Sequence, residues 1–224
     1  MFSTLRAPIG RHAIALCLAL GMPSVGTSAE PQAPHDFSAD IVSRNAAGSA
    51  VGGGAKLHAA HHKVRIETPE TGTGFFLIDR EAGTALYVLA SRGIFMDAGQ
   101  STRLTRVFVP IDPKDPCPQW QAAEASAGVS GQAGGWQCTR IDAGEYRVVS
   151  PDGSSSRRWI DPDLQFPVKL QEGDGTTIAL EHIRVEAQPA GLFAMPPGYR
   201  KVDPQGVIDR IKHSDVWAAP GPQQ

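Results

Sequence analysis

The chain has 224 residues, 41% of them hydrophobic and 20% charged, with 23 acidic against 21 basic side chains for a formal net charge of −2. That balance suits a globular domain and argues against nucleic acid as a partner, since no block of basic residues stands out. No segment stays apolar over the roughly 20 residues that a membrane-spanning helix needs, so no stable membrane span is expected.

Residues 1–29 read as a secretory signal peptide. Arg6 and Arg11 form a basic start, Ala13 to Met22 an apolar stretch, and Thr27, Ser28 and Ala29 a small-residue cleavage site. Cys17 raises a lipoprotein signal as a rival, but bulky Leu16 precedes it and it lies early in the apolar stretch. The expected location is therefore the periplasm. Removing Arg6 and Arg11 leaves 19 basic residues against 23 acidic, a net charge of −4. Residues 30–36 form a flexible leader, 37–217 one domain, and 218–224 a disordered tail. A domain of this size buries roughly 70% of the surface of its unfolded chain.

Strand patterns begin at once. Phe37, Ala39 and Ile41 alternate with Ser38, Asp40 and Arg44, and Val64 and Ile66 with Lys63, Arg65 and Glu67. Such a period of two describes strands with one buried face and one wet face. Residues 74–79, 85–90, 93–97 and 103–109 are further strands, each bounded by Gly, Pro, Asp or Ser. Their spacing fits an antiparallel meander and not parallel strands joined by helices. Residues 118–127 (PQWQAAEASA) read as a helix with Trp120, Ala123 and Ala127 on one face and Gly128 as its cap. Tyr146 and Val148, then residues 157–161, then Phe166, Val168 and Leu170 resume the strands. The longest strand, 176–186, changes phase between Leu180 and Ile183, which predicts a bulge or bend at Glu181 and His182. Asp203 caps a last helix starting at Pro204, with Val207, Ile208 and Ile211 as its apolar stripe. The fold class is mainly β with some α, an α+β chain.

Chemistry is sparse. Cys117 and Cys138, in an oxidising compartment, read as one disulfide. A metal pair or redox couple is the rival, without a CxxC or a nearby histidine to support it. Closing that loop stabilises by roughly 3 kcal/mol in the chain-entropy picture. His58, His61 and His62 cluster in sequence, but neighbours on a strand face opposite ways, so they read as a polar rim and not a metal site. Asp161 and Asp163 flank Pro162 as turn formers, and Ser130 and Ser154 to Ser156 lie in turns with no nucleophile elbow. The glycines 52–54 sit between strands with no helix to make a phosphate cradle. No catalytic residue, metal or cofactor is expected, and the chain does not read as an enzyme. What stands out is apolar surface: Phe75, Phe76, Tyr87, Phe95, Met96, Phe108, Trp159 and Phe166 are candidates to line a ligand site if the sheet curls around a hollow.

Several segments resemble the LolA-like periplasmic proteins, relatives of the lipoprotein-localisation carriers. FSADIVSRN (37–45) is similar to their first strand, and KVRIE (63–67) to a later one. The set Asp115, Pro116, Cys117, Trp120, Trp136 and Cys138 resembles a helix-plus-disulfide insertion of one subgroup. WIDPDLQFPVKL (159–170) and LFAMPPGYRKVD (192–203) are similar to the most distinctive stretches. The resemblance implies a strongly curved antiparallel sheet, an unclosed half-barrel with helices over its concave face. It also implies an apolar or lipid ligand such as lipoprotein acyl chains, with Phe193 and Met195 closing one end of the hollow. An alternative is an envelope protein-interaction or stress-sensing domain that binds a protein partner through its sheet edge or C-terminal helix.

Overall fold

Twelve strands form one sheet in a computed structural model that describes residues 35–68, 74–98, 103–126 and 135–203. In chain order they are β1 (Phe37–Arg44), β2 (Ala50–Ala60), β3 (Lys63–Thr68), β4 (Gly74–Asp79), β5 (Thr84–Leu89) and β6 (Ile94–Asp97). Two helices follow, α1 (Arg103–Val107) and α2 (Cys117–Ser126). The chain then adds β7 (Gln137–Asp142), β8 (Glu145–Val149), β9 (Ser155–Asp161), β10 (Phe166–Glu172), β11 (Thr177–Val185) and β12 (Arg200–Lys201). In the sheet β6 to β1 and β7 to β11 form two meanders, joined where β1 pairs antiparallel with β11. Among the described residues all pairings are antiparallel except that of β12 with β6. The outermost strands, β12 and β7, do not pair, so the sheet is a curved, unclosed half-barrel.

The curl has local causes. Between Ser38 and Asp40 the register of β1 against β11 jumps from Arg184 to Glu181, so one residue faces two, and His182 takes φ +52. This is the bulge that the phase change in β11 predicts: the extra residue lets Leu180 and Ile183 both turn towards the main core. A second irregularity overturns an expectation. The glycines 52–54 are not a connector but part of β2, whose register against β1 shifts beside them. Gly54, at φ +83, adopts a backbone that a side chain would resist, which suits glycine to the bulge. On β10 the register slips between Pro167 and Lys169, and Pro167, with no N–H to give, stands at the slip.

The concave face carries the main core. Phe37, Ile41, Leu57, Val64, Ile66, Phe76, Ile78, Phe166 and Leu170 meet there under Val107 and Phe108. Phe37 and Phe166 stack edge to face at 5.1 Å, linking the two meanders. Val107 and Phe108 belong to a segment that sequence alternation assigns to a strand; its residues 103–107 form helix α1, and Phe108 follows directly. Leu104, Val107 and Phe108 recur at helical spacing, and the Phe108 N–H donates to the Leu104 carbonyl at 3.0 Å. Packing those three onto the sheet outweighs the weak alternation of Leu104 with its polar neighbours. Strand β7 was not legible as a strand, because most of its residues are exposed and it has no apolar face of its own.

The convex face has its own core. Phe75, Leu77 and Val88 are covered by Phe95, Met195 and Tyr199. Residues 190–199 thus strap the outside of β3 to β6, where Arg65 on β3 donates to the Leu192 carbonyl and the Tyr199 hydroxyl to that of Ala90. The expected closure of the hollow by Phe193 and Met195 is therefore corrected. The continuous apolar run of β4, buried on both faces, is the physical reason. The signal peptide, Ala127, Gly128, Ser130, the helix from Pro204 and the C-terminal tail lie outside the described residues.

Candidate functional site

Helix α2 is fastened at three places. Cys117 is disulfide-bonded to Cys138 on β7, as the paired thiols predict, with Cα atoms 5.5 Å apart. Trp120 is buried among Ile111, Tyr146, Val148 and Ile160, and meets the Tyr146 ring edge-on at 5.5 Å. One turn further on, Glu124 sits on the same buried face and accepts from the Nη2 of Arg158 on β9. Its other oxygen lies 3.4 Å from the Nε of Arg106 on α1. Arg158 is 3% exposed, and its guanidinium stands 5.2 Å from the Trp120 ring. Burial pulls the Arg158 pKa below its ordinary value, while the Glu124 carboxylate pulls it back. One carboxylate thus joins α1, α2 and the sheet.

Beside this cluster lies a cavity of about 430 Å³, within the range of roughly 300–1,000 Å³ usual for small-molecule sites. Its floor is the concave side of β4 and β5, at Ile78 and Ala85. Its roof is α1, the following loop at Val109 and Ile111, and α2 at Trp120 and Ala123. Arg106 contributes to the wall, and Asp79, Arg80, Asp97, Gln119 and Lys201 add polar groups. The roof is tied down: Arg80 Nη1 donates to the Pro110 carbonyl at 2.6 Å, and Gln119 accepts from the Asp112 N–H at 3.3 Å. Asp79 has its pKa lowered by the Ala82 N–H and, more weakly, by Lys63.

None of the eight candidate lining residues borders this cavity. Phe76, Phe108 and Phe166 are packed into the concave core, and Tyr87 packs against it, 4.8 Å from Phe76. Met96 pairs with Tyr87 across β5 and β6. Phe75 and Phe95 belong to the convex core, and Trp159 carries the Lys169 ammonium 4.4 Å from its ring centre. Alternation along each strand divides them: Phe75 and Phe76, as neighbours, must face opposite ways. Arg106, Glu124 and Arg158 escaped sequence reading because no local motif unites them. The available signal was positional. Glu124 stands four residues after Trp120, and Arg158 shares its strand parity with Ile160.

The three histidines part company. His58 Nδ1 meets Gln188 at 2.9 Å, His61 Nδ1 lies 3.4 Å from Asp36, and His62 Nε2 lies 2.7 Å from Glu81. Among the described residues no three metal-binding side chains come together. Asp161 accepts from the N–H groups of Asp163 and Leu164, and so makes the turn that its sequence suggests.

No protein-family model matches the chain, and no curated protein does. Among solved structures, the chain is similar to an uncharacterised conserved protein from Thermus thermophilus, with TM-score 0.41 and 11% identity over 75% of this chain and 90% of that one. It is also similar to part of PNGF-II, with TM-score 0.44 and 9% identity over 80% of this chain. The chain spans 33% of the length of PNGF-II.

Proposed function

We propose that this protein is a periplasmic binding protein that holds an apolar molecule, a lipid or an acyl chain, between the concave sheet and its two helices. The observation that carries the reading is the cavity of about 430 Å³ with Ile78, Ala85, Val109, Ile111 and Ala123 on its walls. Each methylene transferred there from water contributes about 0.8 kcal/mol, so a chain of several carbons binds with no specific polar contact. The sequence resemblance to LolA-like proteins and the signal-peptide pattern of residues 1–29 support the same reading.

The reading is of a container and not of a catalyst. Arginine stays protonated and cannot act as a general base near neutral pH, and Glu124 is engaged by two guanidiniums. Native mass spectrometry of protein purified from the periplasm, with extraction of any bound lipid, tests the proposal. An apolar ligand bound one to one is expected. Protein that is ligand-free, and that takes up no acyl chain when supplied, would overturn it.

A further inference from the structure

We propose that the apolar ligand carries a carboxylate, which Arg106 and Trp120 receive at the inner wall of the cavity. This rests on the cavity being a site for an apolar ligand and names the head group such a ligand would bear. At the inner wall and just behind it, donors outnumber their acceptors. Trp120 Nε1 and the Nε and Nη1 of Arg158 are buried without a hydrogen-bond partner, and Arg106 Nε has only the 3.4 Å approach of Glu124. Arginine and tryptophan side chains only donate, so none of these groups can satisfy another. A buried donor left unmet destabilises the fold, which makes the cluster a place where incoming oxygen atoms are worth most.

Arg106 and Arg158 both meet the Glu124 carboxylate within 4 Å, and the Glu172 carboxylate also acts on Arg158. What the cluster still takes up is therefore oxygen atoms in the right geometry. An alcohol head group supplies one oxygen. A carboxylate supplies two coplanar oxygens, the geometry that guanidinium binds best. Arg106 and Trp120 both line the cavity, and Arg158 stands behind the Trp120 ring. A fatty-acid-like molecule would thus lie with its head against α1 and α2 and its chain along Ile78, Ala85, Val109 and Ile111.

Titration of the delipidated full chain with dodecanoate and with dodecanol, near neutral pH, tests this. Dodecanoate is expected to bind about tenfold more tightly, the scale of one charge-assisted hydrogen bond. Arg106→Gln should bring the two ligands to near-equal affinity. Trp120→Phe keeps an aromatic ring but removes the N–H, and should lower the preference several-fold, so the test survives if the arginine variant does not fold. Equal binding of acid and alcohol by the unaltered protein would overturn the carboxylate site and leave the apolar site standing. A preference undiminished in both variants would also overturn it. Binding of neither ligand would overturn the apolar site as well.

Discussion

Glu124 is the residue on which most depends, since its carboxylate is the link between two helices and the sheet. Removing one partner of a buried ion pair leaves the other charge without compensation. Glu124→Gln should therefore cost about 3 kcal/mol in a denaturant melt, far more than loss of the surface pair Arg44–Glu181. A second prediction at this scale concerns Asp152. The Ser150 hydroxyl, then the Ser154 N–H, hold its pKa down from 3.8 to about 2. Because the folded value is depressed, the stabilisation is present above pH 3.8 and is lost as pH falls through about 2. An NMR titration should place the Asp152 midpoint at about 2, and Ser150→Ala should move it back up towards 3.8. Turn residues such as Asp161 were legible from sequence because their bonds are local. The Arg106–Glu124–Arg158 cluster was not, because three distant segments must fold before its members meet.

Among the elements, those whose faces differ in polarity were legible. Strands β1 and β3 alternate plainly, α2 shows its Trp120 and Ala123 face, and the change of phase in β11 marks its bulge. Elements without such contrast were misread or missed: the glycine-rich start of β2, the exposed β7, and the one-turn α1, too short to establish a helical period. The bulge carries a test. His182 sits at φ +52, where a β-branched side chain is strained. His182→Val should cost about 1–2 kcal/mol, whereas His182→Gly should cost little, as measured by thermal or denaturant unfolding. The disulfide carries another. Neither Cys117 nor Cys138 should react with a thiol label in the folded, oxidised protein, and replacing both with alanine should cost about 3 kcal/mol.

At the scale of the whole molecule, the antiparallel meander and the disulfide follow from the residues and the half-barrel from the family resemblance, but the place of the hollow follows from neither. Counting aromatics finds a rich apolar set without saying which face of the sheet each joins. Phe37, Phe108 and Phe166 fill most of the concave face solidly, and the open space is left at one end, beneath α1 and α2. A strap on the convex side explains why β4 is apolar on both faces. A packed core and a neighbouring cavity thus share one concave surface. Methyl NMR of the protein titrated with dodecanoate tests this division most directly. Saturable shifts are expected at Ile78, Ala85, Val109, Ile111 and Ala123, with the methyls of Leu57, Val64 and Leu170 in the packed core unmoved. Shifts centred on the packed core or on the convex cluster around Val88, or no shifts at all, would contradict it.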